Sequence, residues 1–263
     1  MNQRRWDMVD SLAGPLAVVV LAAGAGTRLR PLTSLRPKPL CPVGDRALLD
    51  WSLEAVAPLG LDVAVNVHHG ADQIVDHIET MARRVVTHVS HEEDTPRGTA
   101  GAIGVLRDWL DGRGALVVNA DTWHRADLAD FVSGWDGERV RLLTSSPLPF
   151  GPGSGVVASI VPWLAAERLT QEPAGLWEVL WHRELSAGRL DAVHHSGVVI
   201  DCGTPADYLA ANLTWSGGES VIGAGATVDG SVTRCVVWPG SVVTAGEVLV
   251  DAIRADGLTV LVR

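Results

Sequence analysis

A glycine turn and several fixed positive charges follow the first apolar run of the sequence, in the stretch "LAAGAGTRLRPLTSLRPKPL". Gly24 and Gly26 leave room for backbone N–H groups to approach phosphate oxygens. Arg28 follows closely with its planar fork of donors, and Lys38 stands between two prolines that restrict its backbone. These residue types in this order predict a site for a substrate that carries several negative charges, and an ordinary tight turn with surface arginines is the alternative.

Two common phosphate-binding loops are excluded by the residues that follow this turn. A Walker A loop needs Lys and then Ser or Thr after its last glycine, but Thr27 and Arg28 follow Gly26. A dinucleotide-binding fingerprint needs a third glycine where Leu29 stands. The turn is therefore interpreted as a different kind of phosphate-binding loop.

Two aspartates far apart in the sequence are predicted to end strands. Asp121 closes the stretch "LVVNAD", and Asp201 precedes "CGTP". Two carboxylates together with phosphate oxygens are the ligands that Mg²⁺ takes, since this ion keeps several waters and rarely has an all-protein cage. The alternative for each aspartate alone is the cap of a turn or helix.

The elements that must position these residues alternate between short apolar runs and amphipathic stretches from about residue 16 to residue 146. Strands that are apolar on both faces, each followed by a helical period, predict a mostly parallel sheet covered by helices. The fold class is therefore α/β, with a Rossmann-like three-layer α/β/α core. Ligands of such sheets lie beyond the carboxyl ends of the strands, where the glycine turn and Asp121 fall.

The pattern changes twice after the core. A Pro/Gly-rich connection, "PLPFGPGSG", leads to a strand "VVASI", a helix, a hairpin over "LDAVHHSGVVIDCG" and a helix over "PADYLAANLTW". From residue 217, β-branched residues followed by glycine recur about every six residues, which predicts one or two coils of a β-helix. The predicted domains are an extension (1–15), a core (16–216, divided at 146/147) and a tail (217–263).

Composition limits the function classes. The chain has 263 residues, 47% of them hydrophobic, and a formal net charge of -10, which argues against nucleic-acid or anionic-membrane partners. The three cysteines lack CxxC spacing, so they predict reduced thiols rather than disulfides or zinc ligands. No apolar run reaches the roughly 18 residues that cross a bilayer, and no signal peptide is apparent, so a cytoplasmic protein is expected.

Four ordered motifs resemble the sugar-1-phosphate nucleotidylyltransferases, also called NDP-sugar pyrophosphorylases, in particular those that act on mannose 1-phosphate. "LAAGAGTRLRPLTSLRPKPL" is similar to the family signature, "RGTAGAI" to its loop over the base, "VVNADTW" to its metal-binding strand end and "IDCGTPADYLAAN" to its D-x-GTP element. The repetitive tail also fits, because many relatives carry a left-handed β-helix there. The resemblance covers residues 17–212.

The resemblance implies an enzyme that transfers a nucleotidyl group from an NTP to a sugar 1-phosphate and releases pyrophosphate. Arg28 and Lys38 are the expected catalytic residues, because charge neutralisation suffices where the acceptor phosphate is itself the nucleophile. Asp121 and Asp201 are the expected Mg²⁺ ligands. The nucleotide is expected to bind at Leu21, Ala22, Ala23, Gly24, Gly26, Thr27, Glu93, Gly98 and Thr99.

The base is predicted from one position. Relatives that use a pyrimidine often carry Gln five residues before the loop glycine, and Glu93 stands there. A carboxylate only accepts hydrogen bonds, which suits the N1–H and N2–H donors of guanine and favours GTP. A uridylyltransferase for an amino-sugar or muramyl-sugar 1-phosphate is the alternative.

One departure from the family pattern lies between "RLLTSS" and "SGVVASI", where only "PLPFGPG" stands in place of two strands and a Glu-Lys-Pro element. The group that holds the sugar phosphate therefore has no counterpart, and a non-catalytic regulatory protein that binds nucleotide sugars is a third alternative. Because one or two coils leave an open end, we also expect a homo-oligomer.

Overall fold

The computed structural model describes residues 14–262, so nearly all of the predicted extension lies outside the described residues. Up to Ser216 the chain alternates short strands with helices. The strands are β1 (Leu16–Leu21), β2 (Pro42–Val43), β3 (Arg46–Ala47), β4 (Val63–Val67), β5 (His88–His91), β6 (Gly114–Asn119), β7 (Thr122–His124), β8 (Val140–Thr144), β9 (Val156–Val161), β10 (Leu190–His194) and β11 (Val199–Asp201). The helices are α1 (Leu48–Val56), α2 (Ala71–His77), α3 (Gly98–Val105), α4 (Arg107–Leu110), α5 (Leu128–Ser133), α6 (Trp163–Ala166), α7 (His182–Ser186) and α8 (Pro205–Ser216).

The described chain forms two compact units, each assembled from several segments. The first unit takes the described residues up to Gly24, Ser52–Ala120 and His124–Val199. The second takes Ala25–Trp51, Asp121–Trp123 and the described residues from Ile200 onward. The domain boundaries predicted from the sequence stay a prediction.

The first unit is built on a seven-stranded sheet in the order β10-β8-β9-β6-β1-β4-β5. All neighbours are parallel except β9, which runs antiparallel to β6 and β8. Val19 in the central strand pairs with Ala64 on one side and Val117 on the other, and all three are buried. A strand covered on both faces needs a continuous apolar run, which explains why β1 reads LAVVVL. The predicted α/β core is confirmed.

The predicted hairpin after α7 is wrong. β10 joins the edge of the seven-stranded sheet parallel to β8, from Leu190 opposite Val140 to His194 opposite Thr144. β11 pairs with β7 in a separate two-stranded sheet. Each strand therefore meets a partner about fifty or more residues away, which local turn residues cannot reveal.

The tail in the second unit is β-helix-like, as predicted. Its strands are β12 (Val221–Ile222), β13 (Thr227–Val228), β14 (Ser231–Thr233), β15 (Val236–Val237), β16 (Val242–Val243), β17 (Val248–Val250), β18 (Ala252–Ala255) and β19 (Leu258–Leu261). Parallel pairing joins β12 to β15, β13 to β16, β14 to β17 and β15 to β18, while β19 closes the stack antiparallel to β18. Strands of successive coils therefore stack on three sides.

The last core helix covers one side of this tail. Tyr208 and Leu209 of α8 share a buried cluster with Val236, Trp238 and Ile253. The Trp238 indole donates a hydrogen bond of 2.9 Å to the Tyr208 hydroxyl, so the polar tips of both buried rings are paired. The tail thus belongs to the core of the second unit.

No helix among residues 14–262 is long and apolar enough to cross a membrane.

Candidate active site

Lys38 begins a single turn of 3-10 helix, Lys38–Leu40, in the second unit. Pro37 precedes it with φ -58° and ψ 145°, and Pro39 follows it inside the turn. The Lys38 carbonyl accepts a hydrogen bond of 3.0 Å from the Cys41 N–H. The two prolines and this bond fix the backbone, so the direction of the lysine side chain is set before any substrate binds.

Gly26 makes room for the stem of that lysine. Its φ of +59° lies in the left-handed region that favours glycine, and a Cβ atom built there would be 3.0 Å from Lys38 Cβ and 3.0 Å from Thr33 Cγ2. The Thr33 hydroxyl donates a hydrogen bond of 3.1 Å to the Gly26 carbonyl. The glycine turn and the Pro-Lys-Pro segment therefore form one packed structure.

Four of the predicted residues meet within the second unit. Lys38 Nζ lies 2.8 Å from Asp121 Oδ2 and 3.0 Å from Asp201 Oδ1, and an Arg28 guanidinium nitrogen lies 3.3 Å from Asp201 Oδ2. The Lys38 side chain is 6% exposed, whereas those of Asp121 and Asp201 are 39% and 54% exposed. The structure thus joins one buried ammonium to two accessible carboxylates.

The charge of Lys38 is maintained by these neighbours. Burial is the largest single influence on its pKa and lowers it, but the ion pairs and hydrogen bonds with Asp121 and then Asp201 together outweigh burial and raise the pKa above its ordinary value. These neighbours therefore favour the charged form of Lys38. A buried cation suits the stabilisation of charge on phosphate oxygens.

Backbone contacts hold the two aspartates together. The Cys202 N–H donates a hydrogen bond of 3.1 Å to the Asp121 carbonyl, which ties the segment after β6 to the end of β11. A Cβ atom at Gly203 would lie 2.8 Å from an Arg28 guanidinium nitrogen and 3.2 Å from Asp201 Oδ2. Thr204 then caps α8 by accepting from the Asp207 N–H. The D-x-G-T-P order therefore leaves room for the arginine and begins the helix.

The donor set fits Mg²⁺. Both aspartates offer only oxygen, the ligand that this hard cation prefers, and both are partly exposed. Residues 14–262 contain no group of three or more side chains that could hold a metal by themselves. Two carboxylates supply part of a shell that waters and phosphate oxygens would complete, as is usual for Mg²⁺.

The first unit contains a second buried polar network at the carboxyl ends of its strands. The Ala22 N–H donates a hydrogen bond of 2.8 Å to Asn66 Oδ1, and Asn66 Nδ2 donates one of 2.8 Å to Glu92 Oε1. The other oxygen of Glu92 accepts 2.8 Å from the Arg97 N–H. Asn66 and Glu92 are 2% and 4% exposed. This network fixes the start of the loop after β1 relative to the segment before α3.

The remaining predicted nucleotide-binding residues are divided between the units. Leu21 ends β1, Ala22 and Ala23 are buried, and a Cβ atom at Gly24 would touch nothing within 4 Å. Gly98 has φ +66° and begins α3, where the Thr99 hydroxyl accepts 2.8 Å from the Leu176 N–H. These residues lie in the first unit, whereas Gly26 and Thr27 lie in the second. Their roles toward nucleotide stay a prediction.

Glu93, the residue predicted to read the base, is exposed, and its neighbour Glu92 is buried. Sequence reasoning missed Asn66 and Glu92. A signal existed for each, because Asn66 interrupts the apolar strand VAVNV and because burial alternates at the end of β5, with Ser90 and Glu92 inside and His91 and Glu93 outside. The role of Glu93 stays a prediction.

Comparison with known proteins agrees with this geometry. Residues 17–142 match the family model described as nucleotidyl transferase. The chain is 30% identical over 233 residues to the N-acetylmuramate alpha-1-phosphate uridylyltransferase of Caulobacter vibrioides, a match that covers 75% of this chain and 96% of that one. It is 31% identical over 140 residues to the mannose-1-phosphate guanylyltransferase catalytic subunit beta of Dictyostelium discoideum, which covers 51% of this chain and 39% of that one.

The fold has solved counterparts. A putative glucose-1-phosphate thymidylyltransferase from Bacillus anthracis superposes with a TM-score of 0.64 at 18% identity, covering 76% of this chain and 94% of that one. The chain belongs to the nucleotidyl transferase family, in the class that acts on sugar 1-phosphates. The family, the fold class and the transferase class predicted from the sequence are confirmed.

Proposed function

We propose that the protein transfers a guanylyl group from GTP to a mannose- or heptose-type sugar 1-phosphate. The observation that supports this reaction most directly is the contact of Lys38 Nζ with both Asp121 and Asp201, at 2.8 and 3.0 Å. Those residues lie 83 and 163 positions from Lys38 along the chain. A cation and two carboxylates brought together from three distant segments, with the carboxylates open to solvent, support a catalytic role.

The reaction is a displacement at phosphorus. An oxygen of the sugar 1-phosphate forms a bond to the α-phosphorus of the nucleotide, the bond from that phosphorus to the oxygen bridging to the β-phosphorus breaks, and pyrophosphate leaves with the bonding electrons. No protein nucleophile is required. Lys38 would stabilise negative charge on the α-phosphate, and Arg28, with 70% of its side chain exposed, would bind the outer phosphates.

Asp121 and Asp201 would hold Mg²⁺, which lowers the repulsion between two phosphate groups when it is bound. The carboxylates themselves also orient the Lys38 ammonium through two short contacts. Because Lys38 is buried and its partners are accessible, the ammonium stays fixed while the carboxylate oxygens remain open to solvent.

The choice of guanine rests on Glu93. Its carboxylate is exposed and has only acceptors to offer, which suits the two N–H donors of guanine. Glu92 cannot serve instead, since both of its oxygens already accept hydrogen bonds. The backbone from Leu21 to Thr27, together with Gly98 and Thr99, is proposed to bind the rest of the nucleotide.

Uridylyl transfer to a muramyl- or amino-sugar 1-phosphate is the second candidate. The observation in its favour is the match to the Caulobacter uridylyltransferase along 96% of that protein. The two candidates differ in the base and in the sugar but share the chemistry of Lys38, Asp121 and Asp201.

Cytoplasmic action and self-association complete the proposal. The three cysteines are buried free thiols, which suits a reducing compartment. The tail exposes Ile222, Val248 and Leu261, apolar side chains that a second copy could cover. The net charge of -10 gives no reason to expect a nucleic-acid or membrane partner.

A screen of pyrophosphate release tests the proposal. GTP, UTP, dTTP, CTP and ATP are each paired with mannose, heptose, glucose, N-acetylglucosamine and N-acetylmuramate 1-phosphates, with Mg²⁺ or with EDTA. We expect release with GTP and a mannose- or heptose-type phosphate, and none with EDTA. Release only with UTP and N-acetylmuramate 1-phosphate would establish the second candidate. Release in no pairing, with retained binding of a nucleotide sugar, would establish a regulatory protein.

A further inference from the structure

The first unit contains a cavity of about 540 Å³ that extends to Ala100, next to the predicted nucleotide-binding residue Thr99. It is lined by Val140 at the start of β8, Pro162 just after the antiparallel β9, and Arg189 just before β10. These positions mark the amino-terminal edge of the parallel strands. The glycine turn and the Asn66–Glu92 network follow the opposite, carboxyl ends. The volume is in the range of small-molecule sites.

Three arginines line this cavity, and they differ in whether the guanidinium group has an ion-pair partner. The Arg189 guanidinium pairs with both oxygens of Glu184, at 2.9 and 3.0 Å. Arg183 only donates a long bond of 3.5 Å to the Val179 carbonyl. Among residues 14–262, neither Arg183 nor Arg168 forms an ion pair. Two guanidinium groups therefore line the cavity without an ion-pair partner in the described part of the chain. Two carboxylates, Glu138 and the paired Glu184, line it as well, which leaves a local excess of one positive charge.

The rest of the wall is largely apolar. Leu164, Leu169, Val179 and Leu180 line the cavity together with Val140. Leu164, which is 68% exposed, adds accessible apolar surface to this wall. Guanidinium groups beside an apolar wall favour a ligand that has an anionic group and an apolar body. The anionic group exchanges water for the guanidinium groups, and the apolar body exchanges water for the apolar wall.

We propose that this cavity binds a small molecule that joins a phosphate monoester to an apolar body, and that its occupancy changes the affinity of the protein for its nucleotide. Phosphate is favoured over a carboxylate because two guanidinium forks can contact three of its oxygens at once. The second half of the proposal rests on the proposed function, since it requires a nucleotide site. The first half does not.

The link between the cavity and the nucleotide loop is a strap, residues 169–176. Leu169, Thr170 and Ala174 of the strap line the cavity. Ala174 also exchanges two backbone hydrogen bonds with the start of α3, because its carbonyl accepts 2.9 Å from the Ala100 N–H and its N–H donates 3.0 Å to the Arg97 carbonyl. The strap therefore holds the segment that contains Gly98 and Thr99.

The strap lies so close to α3 that only glycine fits on the facing side of the helix. A Cβ atom at Gly98, Gly101 or Gly104 would lie 2.6, 2.6 and 2.1 Å from carbonyl oxygens of strap residues. Arg97 and Arg107 donate further bonds to the Gln171 and Leu169 carbonyls. Because backbone packed at this distance cannot yield locally, a shift of the strap on filling of the cavity would move the start of α3.

Calorimetry on the full chain with phenyl phosphate tests the binding site. Phenol and inorganic phosphate carry one half of the ligand each and should bind at least about tenfold more weakly. The double variant Arg168→Gln/Arg183→Gln, at two exposed residues, should weaken the binding of phenyl phosphate at least about tenfold. Arg84→Gln is the matched control, since Arg84 is an exposed arginine that does not line the cavity, and Arg28→Gln tests binding at the proposed active site instead.

Three results would contradict the proposed binding site, and two would contradict its coupling to nucleotide binding. Affinity within twofold of wild type in the double variant, loss of binding in Arg28→Gln, or no binding to wild type would overturn the site. For the coupling, saturating phenyl phosphate should change the dissociation constant of GTP or UTP at least threefold in wild type and not in the double variant. An unchanged constant, or a protein that binds neither nucleotide, would refute the coupling. Only the latter result would also refute the proposed function.

Discussion

Each unit buries a charged side chain among residues 14–262, and the two differ in what surrounds that charge. Lys38 in the second unit is held by Asp121 and Asp201, whose side chains are 39% and 54% exposed. Glu92 in the first unit is held by the Asn66 amide, itself 2% exposed, and by a backbone N–H. The first arrangement leaves carboxylate oxygens in contact with solvent, and the second buries both the Glu92 carboxylate and the Asn66 amide.

We propose that this difference separates a site for chemistry from a structural support. A buried cation whose partners are accessible keeps its charge and its position while a substrate or metal binds those partners. A buried carboxylate whose two oxygens each accept a hydrogen bond is shielded from substrate and holds two segments in place. The exposure of its partners, and not the burial of its charge alone, therefore favours Lys38 over Glu92 as the proposed catalytic residue.

Lys38→Met should have the largest effect. Methionine fills a similar volume, so the second unit should fold, but the cation at the α-phosphate is lost and turnover should fall by about 10³-fold. The free energy of unfolding should change by less than about 2 kcal/mol, because the cost of burying the ammonium disappears together with its ion pairs. Pyrophosphate release and urea denaturation measure the two effects. Arg30→Met, at an exposed cation of the same segment, is the control and should change neither.

Asp121→Asn should lower turnover by about 100-fold at saturating Mg²⁺. The asparagine keeps the shape but loses the negative charge that binds the metal and faces the Lys38 ammonium. The apparent Mg²⁺ affinity should fall as well, which a titration of activity against Mg²⁺ measures. Turnover within a few-fold of wild type would remove Asp121 from the site.

Glu92→Gln and Glu93→Gln form a matched pair of adjacent positions. Glu92→Gln places an N–H₂ group against either the Asn66 amide donor or the Arg97 N–H, so stability should fall by about 1 to 3 kcal/mol in urea denaturation. Glu93→Gln should leave the free energy of unfolding within about 0.5 kcal/mol of wild type. It should weaken the binding of GTP by roughly 1 to 3 kcal/mol. Wild type that prefers UTP in competition would show that Glu93 does not read guanine.

The sequence pointed to the charged residues of the second unit more clearly than to the architecture that holds them together. Lys38 between two prolines and two aspartates at strand ends were sufficient to predict a cation and a carboxylate pair. The direct contact of Lys38 with both aspartates was not predictable, since it depends on segments 83 and 163 residues away. Neither was the joining of Ala25–Trp51 and Asp121–Trp123 to the tail in one unit, because no local pattern encodes it.

In the first unit the sequence predicted the architecture better than the buried polar residues. The alternation of apolar runs and helical periods predicted the sheet, but the buried network was missed because the motif drew attention to the spacing of Glu93 from the loop glycine. Burial alternates from Ser90 to Glu93, across the end of β5, and places Glu92 inside. The alternation of inward and outward side chains along a strand indicates Glu92 more strongly than the spacing from the loop glycine indicates Glu93. The partner of Glu92, Asn66, stands out only as a polar residue inside a buried strand.

Gly26→Ala and Gly24→Ala should have the smallest effects and separate support from binding within one turn. At Gly26 the new methyl group meets Lys38 Cβ and Thr33 Cγ2 at 3.0 Å in a left-handed backbone, so stability should fall by about 1 kcal/mol and turnover several-fold as the ammonium shifts. At Gly24 a Cβ atom meets no neighbour, so stability should hold and only the KM for nucleotide should rise, because the methyl group blocks close approach of phosphate. Denaturation and steady-state kinetics on both variants measure this. Equal stability losses, or an unchanged KM in Gly24→Ala, would show that the open space above Gly24 is not where the phosphates bind.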